Sequence, residues 1–301
     1  MANLKEIRTR IASVASTRQI TSAMKMVAAA KLKKAQDTVT NFKPYAQKMQ
    51  SIMDDVTSSV GKDADNKYAV VRDFRQVLIV VITSNKGLCG AFNANAIKEA
   101  VLLAQKKYSG DELPPNKIRY LALGKKGYDA LRKRMLPLDE PNTEIVERLT
   151  YERAADVAQS LMDAFSSGRY DCIDIVYNEF INAASQKVVT KQFLPMQSEN
   201  QSLHKKKKSQ NGKGQIDFLY EPSKEYVLHE LIPRNLRLML YEALLDSIAS
   251  EFGARMTSMH QATDNATTLI QELTLQYNKA RQAAITNEIS EIVGGAEALK
   301  G

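Results

Sequence analysis

The chain has 301 residues, 42 basic and 34 acidic side chains, a net charge of +8, two cysteines and no tryptophan. That is enough chain for one or two domains with a substantial core, and 44% hydrophobic residues is too many for a disordered protein. The longest aliphatic run, Val77 to Ile82, is six residues, which excludes a membrane-spanning helix, and the opening MANLKEIRTR has no apolar stretch of the kind a secretory signal needs.

Glycine and proline divide the chain into three. Residues 1–60 contain no Gly and one Pro, Pro44, residues 234–301 contain no Pro, and seven of the eight prolines fall between 114 and 233. Both residues interrupt helices, so the distribution predicts a long helix over 1–60, a turn-rich middle over 68–233 and a second long helix over 234–301. At 1.5 Å per residue, the roughly 40 residues before Pro44 would extend about 60 Å and the roughly 60 after Pro233 about 90 Å.

The amino-terminal segment is strongly basic. Residues 1–48 carry ten Lys or Arg against Glu6 and Asp37, a net +8 equal to that of the whole chain. Three readings fit: a solvated helix face, docking on an acidic protein, or docking on nucleic acid. The same segment has a coiled-coil repeat. Alternate steps of three and four residues from Leu4 pass through Ile7, Ile11, Val14, Arg18, Thr21, Lys25, Ala28, Leu32, Ala35, Val39 and Phe42, of which nine of twelve are apolar.

The middle begins with Val77 to Thr83, an apolar β-branched run of the kind found in strands buried on both faces. A helix is predicted over Ala91 to Tyr108, a strand over Ile118 to Leu123 and a helix in GKKGYDALRKR. A further helix follows in TYERAADVAQSLMDAF and a strand in YDCIDIVYN. Strands alternating with helices predict a layered, Rossmann-like α/β domain with a largely parallel sheet. Its loops SNKGLCGAFN and GKKG match neither GxGxxG nor GxxxxGK followed by Ser or Thr, so nothing points to a nucleotide cofactor.

Catalytic and metal signals are equally thin. His204, His229 and His260 are scattered, and Cys89 and Cys172 lack partners at metal or redox spacing, so both cysteines read as buried small apolar residues. Residues 197–215 are polar, basic and of low complexity, which predicts a mobile surface loop containing the run Lys205 to Lys208.

The carboxyl end repeats the coiled-coil pattern. Phe252, Met256, Met259, Thr263, Ala266, Ile270, Leu273, Tyr277, Ala280, Ala284 and Asn287 form its seam, with nine of eleven apolar. The economical partner for one seam is the other, in an antiparallel pair. Ile20, Met24 and Val27, and further on Ile285, Ile289, Ile292 and Val293, lie off the seams, and such surplus apolar faces imply a third body around the pair.

IRTRIASVASTRQITSAMKMVAAAKLKKAQ at the start and ATDNATTLIQELTLQYNKARQAAITNEISEIVGGAEAL at the end resemble the termini of the gamma subunit of bacterial F-type ATP synthases. TSNKGLCGAFN, NEFINAASQ and ASEFGARM match the same family pattern, in order, over essentially the whole chain. The resemblance implies an antiparallel coiled coil inserted into a ring of three alpha and three beta subunits. It also implies a foot that joins the epsilon subunit and sits on the c-subunit ring, peripheral to the membrane on the cytoplasmic face of the cell inner membrane. Such a chain is a rotor shaft that couples proton flow to ATP synthesis or hydrolysis and has no cofactor, catalytic site or nucleic-acid partner of its own.

Matched position by position, the family pattern implies contacts with the beta subunits at Met24, Arg255, Gln282, Thr286 and Glu288, and places Phe218 and Tyr220 near the membrane ring. The insertion after KQFLPMQ contains lysines and no cysteine, which argues against thiol control. Two other readings remain at this stage, a basic coiled-coil module for nucleic acid and a nucleotide-dependent α/β enzyme.

Overall fold

A computed structural model describes residues 4–59, 67–108, 117–196 and 224–298. In chain order its elements are α1 (Leu4–Ser59), β1 (Val77–Ile82), α2 (Phe92–Tyr108), β2 (Ile118–Leu123), α3 (Lys125–Lys133), α4 (Glu144–Glu147), α5 (Tyr151–Ser166), β3 (Cys172–Phe180), β4 (Gln186–Leu194) and α6 (Lys224–Ala298). They divide into two compact units, Met1–Ala30 with Arg255–Gly301, and Lys31–Ala254.

The larger unit is built on a four-stranded sheet in the order β2-β1-β3-β4. β1 pairs in parallel with β2, Val77 opposite Ile118, and with β3, Val77 opposite Cys172, while β4 pairs antiparallel to β3. All six residues of β1 are buried, as a central strand covered on both faces requires. The alternation of the strand sorts them. Leu78, Val80 and Ile82 enter a core with Ala154, Ala158, Met162 and Phe165 of α5, Met53 of α1 and Ile232, Leu236, Leu240 and Leu244 of α6. Val77, Ile79 and Val81 enter the opposite core with Ala96, Ile97, Ala100 and Ala104 of α2 and Leu131 of α3. The expected Rossmann-like layering with a largely parallel sheet is therefore present.

The first long helix keeps to the 1–60 span read from the sequence, whereas the second starts ahead of position 234. α1 passes through Pro44 to Ser59, and α6 starts at Lys224 and contains Pro233. A proline inside a helix frees the carbonyl four residues earlier. Here those carbonyls belong to Thr40 and His229, both solvent-exposed residues, where water can replace the missing bond. The inner stretches of the two helices then supply core to the larger unit, which is why it is wider than the 68–233 segment read from turn residues.

Two carboxylates anchor the sheet. Asp174 is fully buried on β3 and accepts from Lys107 Nζ at 2.9 Å and from the Tyr108 hydroxyl at 2.6 Å. Cys172 lies 3.1 Å from the same hydroxyl, so this buried cysteine has a polar neighbour and is more than apolar filling. Burial and the Asp174 charge push the Cys172 thiol up to about 11. At the far strand, Asp139 accepts from Arg119 Nε at 2.6 Å and from the Tyr170 hydroxyl.

Candidate functional site

The end of a parallel strand is where an α/β sheet binds ligands, so the β1 loop is the first place to look for chemistry. In this chain that space is filled by protein. The first three amides of α3 are all occupied: Lys125 N donates to Asn85 Oδ1 at 2.8 Å, Lys126 N to the Ser84 carbonyl at 3.1 Å and Gly127 N to Thr83 Oγ1 at 2.9 Å. Gly124 has φ 131°, and a Cβ there would sit 2.1 Å from the Thr83 carbonyl oxygen. The glycines of GKKG thus admit the end of β1 against α3 and leave no free amides for a phosphate. Ser84, Asn93 and Cys89 close the other side, with Asn93 Nδ2 donating to Ser84 Oγ at 2.8 Å and to Cys89 Sγ at 3.2 Å. Among the described residues no cluster of His, Cys, Asp or Glu could hold a metal, and no helix is long and apolar enough to cross a membrane.

The smaller unit carries the other candidate, the faces of the helix pair. Along α1 its seam positions from Leu4 to Ala28 are all buried or half-buried, and along α6 the same holds from Met256 to Ala280. Within the unit the most buried seam positions recur every seven residues, at Thr21 and Ala28 and at Met259, Ala266 and Leu273. Ile7 continues the first series. The polar interruption at Thr21 has a partner: Thr263 Oγ1 donates to Thr21 Oγ1 at 2.9 Å, and Thr21 donates to the Arg18 carbonyl at 3.0 Å. A partly buried hydroxyl pair costs less than two orphaned hydroxyls and rewards one register.

That register fixes where the pairing stops. Leu4 lies 17 residues before Thr21, and Ala280 lies 17 residues after Thr263. Among the described residues Ala280 is the last half-buried one of α6, and every residue from 281 to 296 is exposed. This single helix carries Ile285, Ile289 and Ile292 at spacings of four and three residues, each about half exposed or more. Gln282, Thr286 and Glu288 stand on the same exposed stretch.

The remaining predicted contacts are differently placed. Met24 is half-buried, while Ile20, Met26 and Val27 around it are exposed and a shallow hollow of about 330 Å³ lies between Arg18, Gln19, Ser22, Ala23, Met26 and Thr263. Met26, 64% exposed, was not singled out in the sequence, although an apolar residue two places from Met24 on an otherwise polar face was the available signal. Arg255 is buried and engaged within the chain. Phe218, Tyr220, and the lysine run 205–208 lie outside the described residues.

Known proteins share this organisation from end to end. A family model described as ATP synthase matches residues 3–299. The ATP synthase gamma chain of Flavobacterium psychrophilum is 51% identical over 301 residues, all of both chains, and that of Cytophaga hutchinsonii is 46% identical over 299 residues, 99% of each. Among solved structures, a chain of the Euglena gracilis mitochondrial ATP synthase superposes with a TM-score of 0.67 at 24% identity, covering 98% of this chain and 94% of that one. A chain from the central stalk and c-ring of the Tetrahymena thermophila enzyme gives 0.58 at 29% identity, covering 81% and 99%. With half its residues identical to a relative over the full length and a family model spanning nearly all of it, the chain belongs to the ATP synthase gamma-chain family.

Proposed function

We infer that this chain is the central rotor shaft of an F-type ATP synthase, a non-catalytic subunit that couples ion flow through a membrane ring to ATP synthesis or hydrolysis at the beta subunits. The observation that carries this reading is the abrupt end of helix pairing at Ala280, followed by a single exposed helix with an isoleucine stripe. A lone helix with an apolar face is stable only when something encloses it. A ring of three alpha and three beta subunits is the enclosure, and Ile285, Ile289 and Ile292 form its greasy bearing surface.

Gln282, Thr286 and Glu288 supply polar contacts to the beta subunits on the same stretch. Met24, with exposed Met26 and Val27, offers a second contact lower on the pair. Arg255 belongs to the same coupling region, with its side chain buried in the chain alone. The larger unit is the foot. It joins the epsilon subunit and rests on the c ring, with Phe218 and Tyr220 toward the ring, and the chain is thereby peripheral to the cytoplasmic face of the inner membrane. A nucleotide affinity changes at a distance only when a rotor contacts two beta-subunit states unequally, which contacts through these residues would supply.

The test is ATP hydrolysis by purified alpha and beta subunits from the same source, with and without the chain. The expected result is a stable complex and faster hydrolysis. Absence of both, with salt-dependent DNA binding that survives competition by beta subunit, would return the basic helix to a nucleic-acid role.

A further inference from the structure

One end of the sheet in the larger unit has no part in the surfaces described so far. β1, β2 and β3 start level with one another, with Val77 opposite both Ile118 and Cys172. The segments beside these starts are tied down. Asp171 Oδ2 accepts from Arg75 N and Gln76 N, both at 2.9 Å, and the Phe74 ring meets Tyr108 edge-on at 5.5 Å. Tyr120 N donates to the Pro137 carbonyl at 2.9 Å, which brings the turn after α3 to the same end.

The side chains left facing outward are of two kinds. Over residues 70–76, 117, 132–135 and 167–171, Arg75, Lys117, Arg132, Lys133, Arg134 and Arg169 are exposed cations and Asp73 is the one exposed acid. Of these cations, Arg169 is paired with Asp139 at 3.4 Å. Val70, Val71, Phe74 and Met135 are exposed among them, Val71 by 78% and Met135 by 93%. Met135 also has φ 55°, a left-handed backbone that costs a non-glycine residue free energy. Cations at a helix end answer the helix dipole, which accounts for Arg132 and Lys133 in the last turn of α3. It does not account for Arg75 and Lys117, which lie outside the named helices, or for apolar side chains held in water.

We propose that this end of the sheet docks directly on anionic phospholipid, its cations on headgroup phosphates and Met135, Val71 and Phe74 dipping into the interface. Interleaved cations and apolar side chains match a surface that is anionic outside and apolar just beneath. A folded acidic protein would need a separate pocket for each apolar side chain, and these come from two segments, one before β1 and one after α3. A fluid bilayer receives them all without a fixed shape. The proposal goes beyond the rotor reading, in which the larger unit meets the membrane only through the ring.

The experiment uses the full chain, which has no tryptophan, so Met135→Trp places a single reporter on this face. With vesicles of phosphatidylcholine and phosphatidylglycerol its emission should shift to the blue and be quenched by brominated acyl chains. Phosphatidylcholine alone should do neither. Changing Arg132→Gln, Lys133→Gln and Arg134→Gln together should weaken binding to the anionic vesicles on the order of 100-fold at low salt, at roughly fivefold per cation. Binding with an unshifted, unquenched tryptophan would assign the attraction to another basic stretch of the chain and overturn the proposal. Equal binding to neutral vesicles, or none to either, would overturn it too. Met135→Trp keeps every cation and so decides the matter where the triple variant does not fold. No other subunit is present in this assay, so its failure leaves the rotor reading untouched.

Discussion

Leu273 and Ile289 occupy the same helix a few turns apart, and the account assigns them opposite costs. Leu273 is 6% exposed in the seam of the helix pair, whereas Ile289 is 56% exposed beyond the last paired residue. Truncating a buried leucine to alanine costs roughly 2 to 5 kcal/mol. A two-helix seam has solvent on its flanks and can partly collapse, and alanine is the better helix former, so Leu273→Ala should fall at the low end, about 2 kcal/mol. At about 1.4 kcal/mol per factor of ten, amide protection in residues 266–280 of the isolated chain should drop roughly 30-fold. Ile289→Ala should leave that protection unchanged within the scatter of surface substitutions, about 0.5 kcal/mol. In the complex with alpha and beta subunits the order should reverse for tip contacts, with Ile289→Ala weakening assembly. If Ile289→Ala destabilised the isolated chain as much as Leu273→Ala, residues 281–296 would be packed on their own chain and the bearing reading would fail.

Three further outcomes follow from the geometry. Gly124→Ala places a Cβ 2.1 Å from the Thr83 carbonyl oxygen at φ 131°, so it should destabilise the larger unit by about 3 kcal/mol or more, seen as a fall in its melting temperature, with wild-type melting refuting the close approach. Ala280→Pro should break α6 where pairing ends, at about 3 kcal/mol or more, and abolish assembly or ATP-driven ion pumping in the reconstituted enzyme. The Cys172 thiol, raised to about 11, should remain protonated at neutral pH and react slowly with a thiol reagent until urea exposes it, so rapid reaction of the folded chain would contradict its burial.

The long helices and their seams were legible because a heptad leaves a signal in every turn. Twelve positions from Leu4 and nine from Phe252 to Ala280 are all at least half-buried, including the polar Arg18, Thr21 and Lys25. What the repeat could not convey was that Thr21 and Thr263 meet, since partner and register are properties of two segments together. The parallel strands were visible as continuous apolar runs. β4 escaped because it is an edge strand, with Lys187, Lys191 and Gln192 spread among Val188, Val189 and Phe193, and charge on an edge strand guards against aggregation while blurring the apolar pattern. Pro233 misled about the start of α6 because a proline's cost depends on whether water reaches the freed carbonyl, which only the folded surroundings of His229 decide. Arg255 was picked out only through the family pattern, and its burial follows from packing that no local pattern records.

Rotation is the central claim and can be watched directly. Ala184→Cys, an exposed position in the turn between β3 and β4, gives an attachment point for a bead, since Cys89 and Cys172 are both buried. With the alpha and beta subunits fixed to a surface and ATP supplied, the account predicts sustained turning of the bead in one direction that stops when ATP is removed. A bead that stays fixed while the same complexes hydrolyse ATP would contradict it.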